Sequence, residues 1–516
     1  MLESLPLLAP LALIAAAVLA FRDRDPRPMP SARHAERLAG FAVLIALASA
    51  CLAALNGSGT GALIGFGGWG FSSRVDPLSV TMLLLVTFVG WVVVRFSATY
   101  LDGEARQGEF TGWLCSALAA VMLLVIAGNL LQLLLAWIAI GLSLHRLLLF
   151  RAERPGARRA ARKKAVTATV GGACMLAAVI VLGAGFGTGD IATILATARE
   201  GGAPVSAVWA AGLLAIAALL KSAQFPTQGW LTEVMEAPTP VSALLHAGII
   251  NAGGFLLIRF SDLLLLAPLL LATLVMIGGL TAIVGALVML TQSVVKTSLA
   301  WSTVSQMGFM VMQCGLALFP LALLHIVAHS LYKAHAFLSA GETVERLEAA
   351  RRPGPVAVPA ARKVGIAFVT ALLIYTGTAL LFGMEGRSPQ AIALGAILIF
   401  GVAYLIAQGM AGDAPSALGR RTLLYSIAAA FAYFALHGAS KALFDGTLPP
   451  APVPGPLEWA LLILAVVSFG IVAVAQSLFP LWAYHPAAAG LRVHLTNGLY
   501  ANAVVDRLLG GWSTRR

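Results

Sequence analysis

Basic and titratable side chains lie inside or at the ends of apolar stretches that are long enough to cross a bilayer. The most informative are Lys221, His325, His329 and Lys333, together with the Pro-Thr-Pro sequence at 238–240. A charge at membrane depth costs at least about 3 kcal/mol on insertion scales, so such residues usually have a function. Several of them in one apolar chain predict a route for protons or other cations.

Lys221 ends an apolar run and precedes Pro226. Burial penalises the charged form of a lysine, which suits a side chain that must both hold and release a proton. Pro226, Pro238 and Pro240 break the helix and free backbone carbonyls, which a membrane interior tolerates only around protein or water-filled cavities. The alternative is a lysine that extends to the membrane surface from a helix end. The flanking prolines favour the relay.

A second group consists of His325, His329 and Lys333, whose fourfold spacing places them on one face of a helix. A single intramembrane histidine is usually a hydrogen-bonded polar group, but three aligned titratable side chains favour a water-bridged relay. Lys296 has two interpretations of equal weight. It could link this group to Lys221, or it could be a lysine at the cytoplasmic end of a helix.

Acidic partners are few. Asp76 opens the third apolar segment, and Glu233 and Glu236 flank the proline break. A carboxylate near a buried lysine stabilises its charged form, so these residues are the predicted charge partners. Near the end of a late apolar helix, His437 and Lys441 are also four residues apart and are weaker candidates for a second relay.

The composition identifies the elements that must position these groups. The chain has 516 residues, of which 59% are hydrophobic and 11% charged, with a mean hydropathy of +0.89. A soluble protein would carry about a quarter charged residues. Apolar runs of roughly 20 residues recur along the chain, which predicts an all-α polytopic membrane protein. The net charge of +12 is better explained by basic cytoplasmic loops than by nucleic-acid binding.

We predict about fifteen membrane segments from the span rule. They are 4–21, 38–55, 77–98, 112–129, 130–150, 166–186, 206–223, 240–260, 266–290, 297–315, 320–341, 364–383, 389–410, 422–440 and 456–478. The first is interpreted as a helix and not as a signal peptide, because no basic residue precedes it and no clear cleavage site ends it.

The strongly basic connections all fall on one side of this topology, as the positive-inside rule requires. They are 22–37, 151–164, 342–363, 411–421 and the C-terminal tail. The N-terminus is therefore predicted outside and the C-terminus in the cytoplasm.

The sequence shows no nucleotide-binding glycine loop, nucleophile elbow or metal-binding cysteine set. Its four cysteines, at 51, 115, 174 and 314, are isolated in apolar runs. We therefore expect no catalytic residue, cofactor or metal site in this chain, and no chemistry beyond ion movement.

Three sequences together resemble the proton-translocating antiporter-like family, which includes the L, M and N subunits of respiratory complex I and the large Mrp antiporter subunits. They are KSAQFPTQGWLTEVMEAPTPVSALLHA, KTSLAWSTVSQMGFM and HIVAHSLYKAHAFLSAG. The resemblance runs from about Asp76 to Gly341. It implies two inverted five-helix repeats with broken helices, each forming half of a cation pathway.

On this resemblance, Lys221 is the central lysine of the broken helix. Lys296, His325, His329 and Lys333 continue the polar axis, and His246 lies beside it.

The chain departs from the family on its fifth helix. The family usually has a glutamate directly after a tryptophan there, paired to a neighbouring lysine, whereas Ile138 follows Trp137 here. His145 and Arg146, further along the same helix, do not replace the acid. A lysine or glutamate of a second broken helix is not evident beyond Gly341.

The short L-like chain, with HSLYKAHAFL and the tail VHLTNGLYANAVVDRLLG, is most similar to the membrane subunits of the two-component DAB inorganic-carbon transporters. That similarity implies a bacterial inner-membrane location and a large soluble zinc partner, resembling β-carbonic anhydrases, on the cytoplasmic face. Inward cation flow would drive one-way hydration of CO2 in that partner, which would hold the zinc.

The resemblance divides the chain into four regions: 1–75, N-terminal helices and an outer glycine-rich loop; 76–341, the antiporter-like core; 342–479, divergent second-half helices; and 480–516, an amphipathic cytoplasmic tail.

Two other functions stay open. One is a proton-pumping L-like subunit of an NADH-quinone oxidoreductase or other redox complex, or an Mrp-type Na+/H+ antiporter subunit. The other is a membrane anchor that has lost the pathway, which Ile138 favours and the His325–His329–Lys333 stripe opposes. The ion itself, H+ or Na+, also stays open.

Overall fold

The computed structural model describes residues 2–23, 25, 29–234, 237–341, 360–383, 387–410, 416–482 and 485–508. These residues form a bundle of helices. Helices satisfy every backbone hydrogen bond within their own segment, which is what a water-free bilayer core demands.

The α-helices are given in chain order. They are α1 (Leu8–Arg22), α2 (Met29–Asn56), α3 (Pro77–Tyr100), α4 (Gln107–Val125), α5 (Leu130–Leu148), α6 (Pro155–Phe186), α7 (Ile191–Arg199), α8 (Ser206–Lys221), α9 (Gly229–Thr232), α10 (Thr239–Ala247), α11 (Ala252–Arg259), α12 (Ser261–Leu264), α13 (Pro268–Met289), α14 (Val295–Gly315), α15 (Phe319–Leu338), α16 (Ala361–Phe382), α17 (Pro389–Gly409), α18 (Ser416–Phe444), α19 (Pro456–Ser477), α20 (Phe479–Trp482), α21 (Ala489–Thr496) and α22 (Ala501–Leu508).

Within the described residues, 13 helical spans are long and apolar enough to cross a membrane, which confirms the all-α polytopic class. Each of the predicted segments overlaps a helix of the structure. Two of those helices fall outside the 13 spans. The first is α8, which has only 16 residues, and the second is α14, which carries Lys296 and several Ser, Thr and Gln residues.

The glycine-rich loop after α2 forms a small hairpin. Strand β1 (Gly59–Thr60) pairs antiparallel with β4 (Arg74–Val75), and β2 (Ile64–Phe66) pairs antiparallel with β3 (Trp69–Phe71). The turn between β2 and β3 is Gly67–Gly68, with φ of 59° and 83°. Such values are favourable only for glycine at both positions, and they match the twist of the two strands.

The helix that carries Lys221 is interrupted directly after it. Residues 222–228 are non-helical and contain the cis peptide bond Phe225–Pro226, and α9 follows. The freed Leu220 carbonyl accepts a hydrogen bond from Trp230 Nε1 at 3.2 Å. The break therefore lies within packed protein, where its exposed backbone groups can find partners.

A second interruption separates α9 from α10. Pro238 immediately precedes α10, and Pro240 lies in its first turn. A short 3-10 turn at Ile249–Asn251 joins α10 to α11, and the three elements together form one span, Thr239–Arg259.

Glycines let α13 and α14 approach closely. A Cβ atom on Gly278 would lie 2.5 Å from Met312 N, and one on Gly308 would lie 2.5 Å from Ala282 N. Gly285 and Gly315, one heptad further along each helix, are equally crowded by the backbone of the facing helix. In lipid, no hydrophobic effect drives two membrane helices together. Small residues at the crossing stabilise it instead, because they allow close van der Waals packing.

Three predicted connections between membrane segments are partly helical in the structure: α2 begins within 22–37, α6 within 151–164 and α18 within 411–421. Residues 151–164 were expected to connect two membrane segments, but α6 begins at Pro155 and continues for 32 residues. Its first turns bury Lys163 and Lys164. The positive-inside rule counts basic residues and does not consider whether the folded protein has partners for them. Most of the predicted loop 342–363 lies outside the described residues.

The C-terminal helices α21 and α22 pack against the core. Gln292 Nε2, just after α13, donates to Thr496 O at 3.3 Å, and Gly498 lies against the Trp301 ring of α14. The tail thus covers the ends of several helices, including the broken one.

Candidate ion pathway

Lys221 lines a cavity of about 460 Å³ between α5, α6 and α8. It is half-buried, and its Nζ lies 4.8 Å from the centre of the Trp137 ring. An ammonium over the face of an indole is attracted by the ring quadrupole. This contact holds Lys221 at the end of α8, where the helix breaks.

The same cavity contains groups from α5 and α6. Lys164, His145 and Ile138 line it together with Lys221, and none of the described lining residues is acidic. Lys164 donates a hydrogen bond to the Gly141 carbonyl of α5. The position after Trp137, where the family usually has a glutamate, is therefore an apolar side chain in a cavity that holds two lysines.

A second set of buried polar groups lies where α10, α14 and α15 meet. Lys333 Nζ donates to Ser302 Oγ at 2.8 Å, and His246 Nδ1 lies 3.0 Å from Thr303 Oγ1. His329 belongs to the same buried layer. His329 Nε2 and His246 Nε2 have no hydrogen-bond partner among the described residues. These atoms remain able to bind water or to exchange a proton.

His325 extends this set toward a second cavity. Its ring centre is 6.0 Å from that of His329, and its Nδ1 lies 2.8 Å from Gln313 Oε1 of α14. Both His325 and Gln313 line a cavity of about 520 Å³, which also contains the Tyr433 side chain of α18.

The weaker candidates, His437 and Lys441, lie on α18. His437 is half-buried beside Tyr433, with ring centres 6.0 Å apart, whereas Lys441 is exposed. His437 therefore lies beside a residue that lines the second cavity, and neither His437 nor Lys441 is among the described lining residues.

Lys296 sits at the start of α14. Its Nζ lies 3.2 Å from Thr239 Oγ1, and that hydroxyl lies 3.4 Å from Tyr100 Oη. Lys296 therefore contacts α10 at the proline break. No hydrogen bond in the described part of the chain joins it directly to Lys221 or to Lys333.

Glu233 binds a buried lysine, but the lysine is Lys163 and not Lys221. Lys163 Nζ lies 2.6 Å from Glu233 Oε1, 2.7 Å from Asn502 Oδ1 and 2.7 Å from Asp506 Oδ1. Asn502 Nδ2 also donates to Glu233. Arg159 completes the group through Asp506 Oδ2 at 2.6 Å. Glu236, the other predicted partner, lies outside the described residues.

Asp76 is buried with two arginines and not with a lysine of the pathway. It caps α3 through Ser79 N at 2.7 Å and pairs with Arg259 at 2.5 Å and Arg74 at 2.6 Å. Burial alone would raise the pKa of Asp76, but the charges and hydrogen bonds of Arg259 and Arg74 hold it well below its usual range. Asp76 thus joins the start of α3 to the end of α11.

Sequence reasoning missed the hydroxyl and amide groups that organise the buried set. Ser302, Thr303 and Gln313 all come from α14, and Asn251 Nδ2 donates to Ser330 Oγ of α15 at 2.8 Å. The polar content of α14 in the sequence KTSLAWSTVSQMGFM was the available signal. Helical spacing alone does not say which of these residues face α15.

No group of three or more His, Cys, Asp or Glu side chains within the described ranges is placed to hold a metal ion.

Two family models match the sequence. Residues 127–353 match the transmembrane model described as NADH:quinone oxidoreductase/Mrp antiporter. Residues 68–111 match the model for the N-terminus of complex I chain 5. The matched ranges include α5, α8, α14 and α15, which carry most of the groups above.

Individual proteins agree with these matches. The chain is 39% identical to the probable inorganic carbon transporter subunit DabB2 of Halothiobacillus neapolitanus, over 87% of this chain and 82% of the relative. It is 49% identical to the probable inorganic carbon transporter subunit DabB of Hydrogenovibrio crunogenus, over 52% of this chain and 53% of that relative. A chain of the Mrp complex from Dietzia sp. superimposes with a TM-score of 0.58 at 25% identity, over 96% of this chain and 57% of that one.

Proposed function

This chain belongs to the antiporter-like family of ion-translocating membrane subunits that includes complex I L subunits and DabB inorganic-carbon transporter subunits, and we propose that it conducts protons for an inorganic-carbon uptake complex. The conducting groups are Lys221, His246, Lys296, His325, His329 and Lys333. The DabB relatives are named as subunits of an inorganic carbon transporter, which supports inorganic carbon as the substance taken up by the complex.

The observation that carries the proposal is the buried polar layer between α14 and α15. Lys333 and His246 each contact a hydroxyl of α14, and His329 and His325 continue the layer to the second cavity. Lys333, His246 and His329 are buried and His325 is half-buried, and titratable groups at membrane depth are costly, so they usually have a function. With three histidine Nε2 atoms of the layer, those of His246, His325 and His329, unpartnered in the described residues, the layer can exchange protons through water.

In this mechanism, Lys333 holds the proton, which the Ser302 hydroxyl and the Leu299 carbonyl stabilise as its hydrogen-bond acceptors. His329 and His325 pass it along α15, because a neutral imidazole accepts a proton at one nitrogen and can release it from the other. Lys221 occupies the break after α8, where a change in backbone position would alter its contact with Trp137.

We place CO2 hydration in a soluble partner that resembles β-carbonic anhydrases and carries zinc. Proton movement through this chain would make the hydration step one-way. The complex would lie in the bacterial inner membrane, with the partner on the cytoplasmic face.

The first test measures proton flux in liposomes that contain the purified protein with its co-purifying subunits. A pH-sensitive dye inside the liposomes follows the response to a potassium diffusion potential. Lys333→Met should lower the flux by about 100-fold or more, as expected for loss of a proton-transfer group. Lys333→Arg should also fail, because arginine keeps the charge and does not release its proton.

His335→Ala is the matched control. His335 lies on the same helix but is exposed, so this variant should conduct normally. Equal flux in the Lys333→Met and wild-type proteins would refute the proposed pathway.

Purification from the native membrane tests the partner. A stoichiometric large soluble subunit with bound zinc supports the carbon-uptake complex. Flavin, iron–sulfur clusters or several Mrp-like membrane subunits would instead assign the chain to a redox pump or an antiporter, whose family it shares.

A further inference from the structure

The cavity that contains Lys221 holds more basic groups than its described lining residues can neutralise. Lys164 and Lys221 both line it, and its described lining residues include no Asp or Glu. Lys221 Nζ contacts the Trp137 ring but makes no ion pair within the described ranges. The cavity, of about 460 Å³, has room for a small solute with several waters, since a water takes about 30 Å³ in the liquid.

Hydrogen-bond donors in this cavity are left over. Lys164 is buried, with 5% of its surface exposed, and it donates to the Gly141 carbonyl. An ammonium group has three donors, so others remain. His145, which also lines the cavity, has a buried Nδ1 with no partner in the described part of the chain.

Two carboxylates beside the adjacent lysine of α6 are already engaged. Glu233 and Asp506 bind Lys163 and Arg159, neither of which lines the cavity. Ile138 occupies the place beside Trp137 and faces the cavity. The described lining residues therefore supply no fixed counter-charge to Lys164 and Lys221.

We propose that a small monovalent anion, such as chloride or bicarbonate, binds in this cavity between Lys164 and Lys221 and acts as a mobile counter-ion. Two like charges in a low-dielectric site repel each other strongly, and an anion between them offsets that repulsion. The anion occupies the role that a carboxylate at position 138 would fill. This inference and the proposed function share one residue, Lys221, and the anion site does not otherwise depend on proton conduction.

The test uses chloride as the probe and chlorine NMR as the readout. The full chain, with its co-purifying subunits, is placed in a non-ionic detergent, and the excess line width of chloride is measured. Bicarbonate is then added at constant ionic strength. We expect bicarbonate to remove part of the excess line width, because both anions would compete for one cavity.

Two substitutions locate the site. Lys164→Met should weaken chloride binding at this site by about tenfold, which is typical for loss of a charged hydrogen-bond partner. Ile138→Glu should remove the binding, because a fixed carboxylate would take the place of the anion. Ile138→Gln, which has nearly the same size but no charge, should leave most of it.

Size-exclusion profiles establish that each variant is folded. Ile138→Glu and Lys164→Met change different helices that line the cavity, so they test the site independently. The same line-width contribution in the wild-type, Lys164→Met and Ile138→Glu proteins would overturn the proposal, as would the absence of any excess line width in the wild type. Proton flux is read separately, so anion binding without conduction would refute the proposed function and leave the anion site in place.

Discussion

The contacts around Lys163 predict how firmly the C-terminal tail is held. We call Lys163, Glu233, Asn502 and Asp506 the tail clamp, because they join α6 and the segment after α9 to α22. Substituting Lys163 with Met removes the only side chain in the clamp that contacts the other three. We expect this change to release α22 much more often, while the membrane helices stay folded.

The size of the effect follows from the exposure of the clamp. The Lys163 side chain is 5% exposed, and those of Glu233 and Asp506 are 21% and 14% exposed. Removing one partner of a fully buried ion pair costs about 3–5 kcal/mol. Partial exposure of the carboxylates, and the remaining contacts from Arg159, reduce this to about 2 kcal/mol. That is about a thirtyfold increase in the open population of α22.

The measurement is hydrogen exchange of the amides of Ala501–Leu508 in the full chain, under conditions where exchange follows the opening equilibrium. Lys164→Met is the matched control, because this lysine is equally buried and adjacent in sequence but donates to Gly141 and not to the tail. Equal exchange rates in the two variants would refute the reasoning. A cycle that combines Lys163→Met with Asp506→Asn should show coupling of about 1–3 kcal/mol.

Two further substitutions test the packing of the core. Asp76→Asn leaves Arg259 buried without its charge partner, so the variant should lose about 3–5 kcal/mol of stability near neutral pH, read from thermal unfolding in detergent. The Arg259 charge lowers the pKa of Asp76 in the folded protein. The stabilisation from ionised Asp76 is therefore complete above the ordinary aspartate pKa of about 3.9 and is lost as the pH falls further. The stabilities of the wild-type and Asp76→Asn proteins should converge in acid. Gly308→Ala forces a Cβ against Ala282 N and should lower the stability by about 1–3 kcal/mol. Its control is Gly172→Ala, whose Cβ would meet nothing within 4 Å and which should leave the stability nearly unchanged. Equal melting temperatures of these two variants would contradict the proposed crossing of α13 and α14.

The sequence was sufficient for the membrane architecture because a bilayer leaves few choices. Apolar length predicted each span, and the prolines after Lys221 predicted an interruption that the structure has between α8 and α10. The spacing of His325, His329 and Lys333 placed them on one helix, α15. These features depend on local chemistry, which a single sequence contains.

Contacts between segments that are distant in the chain could not be predicted from the sequence alone. Lys163 was interpreted as part of a basic loop, whereas its partners Asn502 and Asp506 lie 339 and 343 residues away. Glu233 was assigned to a pathway lysine for the same reason, since nothing in the sequence states which buried lysine it meets. The roles of Ser302 and Thr303 likewise depend on how α14 is rotated against α10 and α15.

The two consecutive lysines of α6 connect the tail to the cavity. Successive residues of a helix point about 100° apart, so Lys163 contacts the tail clamp while Lys164 lines the cavity with Lys221. A rigid rotation of α6 that loosened one contact would therefore shift the other. If the two sites act through α6, Lys163→Met should alter chloride binding as well as tail exchange. Because such coupling is reciprocal, Lys164→Met should also change tail exchange, but by much less than Lys163→Met does. Unchanged chloride binding in Lys163→Met would show that the clamp holds the tail without affecting the cavity.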